Sequence, residues 1–162
     1  MRILGLDPGS RITGIGIIDG ESLVAARQLS LGGGDMPARL AGIFSGVTDA
    51  IAEFRPDVVA IETVFMSRNP QSAIKLGQAR GAAICAAVHA GLAVHEYAPR
   101  LIKLAIVGRG GADKEQVQHM VRVLLKSTDR FGADAADALA VALCHLHSAR
   151  TARRLPQGVV LR

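Results

Sequence analysis

Residues 2–20 read Arg2-Ile3-Leu4-Gly5-Leu6-Asp7-Pro8-Gly9-Ser10-Arg11-Ile12-Thr13-Gly14-Ile15-Gly16-Ile17-Ile18-Asp19-Gly20, two apolar runs with a turn between them. The first run is short and continuous, as a strand buried on both faces must be, and Asp7 closes it. Pro8-Gly9-Ser10-Arg11 has hairpin-turn chemistry, so residues 12–19 return as a second strand beside the first. Asp19-Gly20 makes a further turn before a third strand over about 22–30.

Working outward, Gly32-Gly33-Gly34 is a loop, and Asp35 can cap a helix running to about residue 54. Leu40, Ile43, Val47, Ile51 and Phe54 recur along one face of that helix. Pro56 ends it, and residues 57–62 form a strand rich in Val and Ile that Glu62 closes. After a loop over 63–69, Pro70 suits the first turn of a long helix to about residue 90. A strand over 92–97, a short helix from Pro99 to about Ile106, and a loop from Gly108 to Gly111 follow. Residues 113–126 form an amphipathic helix with Val117, Met120, Val121, Leu124 and Leu125 inward, and a last helix spans about 134–148. Three hairpin strands, then helices alternating with parallel strands, predict an α/β fold: a mixed five-stranded sheet with helices on both faces. Residues 1–149 read as one domain, and residues 150–162 as a basic, flexible tail containing Arg153, Arg154, Pro156 and Gly158.

The composition narrows the classes of function. Hydrophobic residues make up 49% of the chain against 20% charged, which excludes disorder for most of its 162 residues. No stretch is apolar enough to span a bilayer, and the chain opens on a strand pattern rather than a signal peptide, so a cytoplasmic protein without membrane attachment is expected. Cys85 and Cys144 both lie in apolar helical segments and read as reduced core thiols. Net charge is +5, which suits a polyanionic partner. Aromatic residues are only 3% with no Trp, which argues against a stacking platform for single strands and favours binding by shape.

The carboxylates carry the chemistry. Asp7 and Glu62 end strands that the pattern makes parallel, and such ends point into the crevice where α/β folds bind ligands. Asp134 and Asp137, in Gly132-Ala133-Asp134-Ala135-Ala136-Asp137, share one side of a helix's first turn. Each has an ordinary reading too: Asp7 as a turn residue, Glu62 as a solvated strand end, Asp134 and Asp137 as a helix cap and its first-turn partner. Carboxylates converging on one crevice repel each other unless a hard divalent cation, Mg²⁺ or Mn²⁺, sits among them. That combination suggests phosphoryl transfer. An Asp-x-Gly hairpin also opens actin-like ATPases, so this motif alone does not separate nuclease from ATPase. A rival zinc site from Cys85 and His89 with Cys144, His145 and His147 lacks a loop-borne Cys-x-x-Cys and is flanked by Ala-rich core.

Five segments together resemble a known family: Arg2–Ser10, Ala60–Pro70, Lys75–Gly81, Gln116–Val121 and Ala133–Ala140. They are similar to the bacterial crossover junction endodeoxyribonucleases of the RuvC type, in order, over roughly residues 1–147. Thr63 departs from the pattern, which more often has Gln beside the acid. The resemblance implies a ribonuclease H-like fold and a structure-selective endonuclease that resolves four-way (Holliday) DNA junctions during recombination and repair. It implies Asp7, Glu62, Asp134 and Asp137 as catalytic metal ligands, with Asp7 on the central strand bridging two Mg²⁺ ions that Mn²⁺ can replace. Paired symmetric nicks with 5′-phosphate ends follow, as do the branch-migration proteins RuvA and RuvB as partners. A general ribonuclease H and a junction-binding protein without catalysis remain as alternatives, disfavoured by the Glu62–Arg80 segment and by the four intact acids.

Basic residues form three groups: Arg68 and Lys75 flanking the loop after Glu62, Arg80 on the long helix, and Lys103, Arg109 and Lys114 around the Gly108–Gly111 loop. All are candidate DNA contacts, and the resemblance favours Lys103 and Lys114 as phosphate-contacting groups near the acids. Phe65, apolar in a polar loop, is a candidate wedge against a base at the junction centre. Ala73, Ala79, Gly81, Ala82, Ala83, Ala86 and Ala87 make the long helix small and apolar nearly all round, more than one sheet face covers. A homodimer built on that helix is expected, with Ala83 or Ala87 facing the partner. A two-fold dimer would present one site to each of two strands.

Overall fold

The computed structural model describes residues 1–63, 69–129 and 131–154. Strands β1 (Arg2–Asp7), β2 (Ile12–Asp19), β3 (Ser22–Ser30), β4 (Val58–Glu62) and β5 (Val94–Tyr97) form one sheet in the order β3-β2-β1-β4-β5. The hairpin strands β1, β2 and β3 pair antiparallel, while β4 joins β1 and β5 joins β4 in parallel. This is the mixed sheet expected from the pattern, with β1 at its centre. β5 begins at Val94, two residues later than the apolar run suggested.

Strand alternation sorts side chains into two cores. Leu4, Leu6, Ile15, Ile17, Val59 and Ile61 face α1 (Met36–Phe54) and α2 (Pro70–His89). Ile3, Ile18, Val58 and Ala60 face α3 (Pro99–Val107), α4 (Lys114–Leu124) and α5 (Ala133–Arg154). Polar residues set the helix starts. Asp35 accepts from the Ala38 amide at 3.0 Å, Asn69 accepts from Gln71 and Ser72, and Asp113 and Gln116 form a reciprocal capping box at α4.

α5 lies against the sheet more closely than side chains allow, and glycines make the room. A methyl group at Gly5 would stand 2.0 Å from the Ala138 carbonyl oxygen, and one at Gly14 would stand 1.9 Å from that of Asp134. At Gly16 the clash would be with Leu139. Isolated glycines in strands mark such close backbone approach.

Three expectations are corrected. Ala83 and Ala87 are fully buried within the chain, in the core that α1 and α2 share, so they cannot face a partner. Alanine lets two helices pack closely, which is why the small face of α2 turns inward. Its exposed side carries instead Ile74, Cys85 and Val88, so Cys85 is not a core thiol; Cys144 is, and burial pushes its thiol up to about 11. α5 runs to Arg154 rather than ending near 148. Neither Gly nor Pro occurs before Pro156 to stop it, and Arg150 anchors its last turns to Glu21 on the β2–β3 turn. No helix among the described residues is long and apolar enough to cross a membrane.

Candidate active site

Register brings the site residues into one row. Asp7 lies opposite Gly14, and Gly14 lies opposite Gln28, on the edge strand β3. On the other side Leu6 pairs with Ile61, so Asp7 and Glu62 close neighbouring strands side by side, and Glu62 is in turn aligned with Tyr97. Asp7, Gly14 and Glu62 share the α5 face of the sheet, by parity with Gly5, Gly16 and Ala60. The glycines then admit the first turn of α5, which carries Asp134 and Asp137 over that row. Asp134 is the second residue of the helix, not its cap, and its carboxylate accepts from Gln28 Nε2 at 2.6 Å. Capping does not explain its presence.

The electrostatics show that the four acids share one environment. The Asp7 carboxyl is raised to about 7, first by burial and then by the charges of Asp137, Glu62 and Asp134, with Lys114 opposing. Glu62 is also raised, by burial and then by Asp137, against the pull of Lys103 and Lys114. Lys114 Nζ lies 2.7 Å from Asp137 Oδ2, and this contact raises the lysine in return. Among the described residues no three His, Cys, Asp or Glu side chains are already gathered as a metal cage. The four acids lie near enough to act on each other's charge, Asp134 held by Gln28 and Asp137 by Lys114.

The other candidates divide. Lys103 and Lys114 line a cleft of about 200 Å³ with Glu62, Asp137, Pro99 and Ile102, as expected of groups beside the acids. Arg80 is turned inward: its Nε donates to the Glu62 main-chain carbonyl at 3.0 Å, and its other nitrogen pairs with Glu96. It braces the end of β4 against α2, and walls a second cleft with Asp7, Pro8, Glu62 and Thr63. Thr63, the departure from the family pattern, donates from both amide and hydroxyl to the Tyr97 carbonyl, tying β4 to β5. Lys75 and Arg109 are exposed and away from the acids' contacts. Phe65 and Arg68 lie outside the described residues. The residues of the rival zinc reading are separated by the sheet, Cys85 and His89 on α2 and Cys144, His145 and His147 on α5. His145 instead meets the Tyr97 hydroxyl at 2.7 Å and His147 the Ala105 carbonyl at 3.2 Å.

Sequence reading missed Gln28 and the glycines. Gly5, Gly14 and Gly16 were visible as odd residues in apolar strands, but Gln28 is an ordinary polar residue on an edge strand until the register is known.

A mixed five-stranded sheet in this order, with acids at the ends of β1 and β4 and on the covering helix, defines a ribonuclease H-like nuclease architecture. A family model described as "Crossover junction endodeoxyribonuclease RuvC" matches residues 3–145. The curated RuvC of Methylococcus capsulatus is 55% identical over 161 residues, covering 98% of both chains. That of Vibrio campbellii is 57% identical over 157 residues, covering 92% of this chain and 88% of the other. The solved Thermus thermophilus RuvC is similar with a TM-score of 0.86 and 34% identity, over 94% of this chain and 97% of that one. The same protein in complex with a Holliday junction substrate matches with a TM-score of 0.87. The yeast mitochondrial Holliday junction resolvase, 11% identical, shares the fold with a TM-score of 0.68. This chain belongs to the RuvC family of crossover junction endodeoxyribonucleases.

Proposed function

We propose that this chain resolves four-way DNA junctions in the cytoplasm as a homodimer, by paired metal-dependent hydrolysis of phosphodiesters. The observation that carries the reading is Asp7, whose carboxyl is held at about 7 by burial and by three acidic neighbours. Four carboxylates at the end of a central strand, opposed only in part by Lys103 and Lys114, are unfavourable together unless a cation is bound. The donor set is all oxygen, which suits Mg²⁺ and accepts Mn²⁺. Asp7, Glu62, Asp134 and Asp137 would hold the cations, two per subunit. When bound, they activate water and stabilise the leaving 3′-oxygen.

The chain's own residues do the rest. Lys114 neutralises Asp137 before substrate arrives, and its ammonium, half-exposed at the mouth of the cleft, is placed to reach a phosphate. Lys103 lies beside it. Partial burial of Asp7 at the end of β1 restricts solvent around its carboxylate. The long-range supply of phosphate affinity falls to exposed Lys75 and Arg109, with Arg68 as a further candidate DNA contact and Phe65, apolar in a polar loop of the sequence, as the candidate wedge at the junction centre. Arg80 serves this reading as a brace of Glu62. RuvA and RuvB are proposed partners on the same resemblance.

A dimer built on α2 now uses its exposed side. Ile74 and Val88 are 62% and 60% exposed, with Gly81 and Cys85 between them at helical spacing, an apolar stripe left uncovered by the fold. The deciding assay is cleavage of a synthetic four-way junction and of the linear duplex arms, in Mg²⁺ and in EDTA. Symmetric nicks in the junction alone, dependent on Mg²⁺, are expected; equal cutting of duplex, or cutting in EDTA, would refute the reading.

A further inference from the structure

We infer that Gln28, on the edge strand, is a positioning residue that sets the orientation of the Asp134 carboxylate for the divalent cation, and that Gly132 exists to make room for it. The inference rests on the reading of Asp134 as a cation ligand. Three observations from separate parts of the chain carry it. Gln28 lies directly across from Gly14, which itself lies across from Asp7, so the residue at position 28 belongs to the same cross-strand row as the central acid. Because Gly14 has no side chain, nothing on β2 stands between β3 and the start of α5.

The Gln28 amide crosses that gap. Its Nε2 donates to Asp134 Oδ2 at 2.6 Å, joining residues 106 apart in sequence. The space it occupies is made by a third residue: a methyl group at Gly132 would stand 2.5–2.6 Å from the Oε1, Cδ and Nε2 atoms of Gln28. Gly132 has no positive backbone angle that would demand glycine, so the demand comes from the amide.

An amide donor to one oxygen of a carboxylate fixes the plane of that group and leaves the other oxygen to a cation. Partners of this outer kind commonly contribute 10–100-fold to metal affinity. Gln28 carries no charge, so it orients Asp134 without competing with the cation as a lysine would. Lys114 holds Asp137 by charge, and must exchange it for the cation. The two α5 acids are therefore held by different means, one by a neutral donor from β3 and one by a cationic donor from α4.

The test measures Mn²⁺ affinity of the full chain without DNA, by titration calorimetry and by loss of the free Mn²⁺ resonance signal. Thermal melting in EDTA is recorded beside it. Gln28→Leu keeps the bulk and removes the donor; it should lower Mn²⁺ affinity about tenfold or more and leave melting in EDTA and junction binding in EDTA unchanged. Gly132→Ala leaves Gln28 in the sequence but pushes its flexible end aside, and should reproduce the loss. The double variant should be no weaker than Gln28→Leu alone, because both act through one hydrogen bond. Asp134→Asn provides the reference. If it leaves Mn²⁺ affinity intact, Asp134 is no ligand and the metal reading falls. If Asp134→Asn loses affinity while Gln28→Leu and Gly132→Ala keep it, the role of Gln28 is refuted and Asp134 stands.

Discussion

Asp7 is held in an unfavourable state by its own surroundings, and that has consequences in two measurements. In the unfolded chain its carboxyl loses its proton near 3.8, but in the metal-free fold only near 7. Between those values the folded state binds more protons than the unfolded one, so stability falls as pH rises through that window. The loss is complete above pH 7 and amounts to at most about 4 kcal/mol at about 1.36 kcal/mol per unit. Asp7→Asn should accordingly melt at higher temperature than wild type at pH 8 in EDTA, with the difference vanishing near pH 4. Equal melting at both pH values would show that the site is not strained by charge. A second consequence concerns cation binding, which needs the carboxylate. Affinity for Mg²⁺ should drop by up to tenfold per unit as pH is lowered below 7, and calorimetry across pH 5.5–8 measures it. A flat profile would assign the binding to other groups.

At the level of elements, the contact of α5 with β1 and β2 positions half of the acids. Gly14→Ala places a methyl group 1.9 Å from a main-chain oxygen of α5, where no flexible side chain can yield. Overpacking of this kind costs about 1–3 kcal/mol and shifts backbone. The variant should melt several degrees lower and lose cleavage while binding junctions, since Asp134 moves with its helix. Unchanged cleavage would mean that the glycine contact does not position the acids.

This is also where sequence and structure part company. The strands, the hairpins, the acids, the cap of α1 and the first turn of α2 at Pro70 were legible, because period, turn residues and cap residues act locally. The tight approach of α5 was only hinted at by Gly5, Gly14 and Gly16, since a glycine does not say what comes near it. Gln28 was illegible, because its role depends on a partner 106 residues away. The burial of Ala83 and Ala87 was misjudged for a related reason: an apolar helix surface does not reveal which side is already covered by α1.

For the whole molecule, the inner and outer sides of α2 make opposite demands on substitution. Cys85→Glu puts a charge on the exposed stripe and should leave the protomer's melting within about 1 kcal/mol, as surface changes do. It should shift sedimentation at micromolar concentration from dimer toward monomer and uncouple the paired nicks. Ala83→Asp should unfold the protomer, because position 83 is fully buried beside α1. A Cys85→Glu protein that stays dimeric would place the interface elsewhere. With a net charge of +5, association with DNA should also weaken steeply with salt, by about 0.9 log units per neutralised phosphate for each tenfold rise. Binding insensitive to salt would contradict phosphate contacts as the main source of affinity.

The separation of binding from chemistry at Asp7 tests the central claim most directly. Wild-type protein and Asp7→Asn are compared on one labelled synthetic four-way junction, by gel shift in EDTA and by strand cleavage in Mg²⁺. Both proteins should bind the junction with similar affinity, and only wild type should release symmetrically nicked duplexes. An Asp7→Asn protein that binds and still cuts at the wild-type rate would contradict the account.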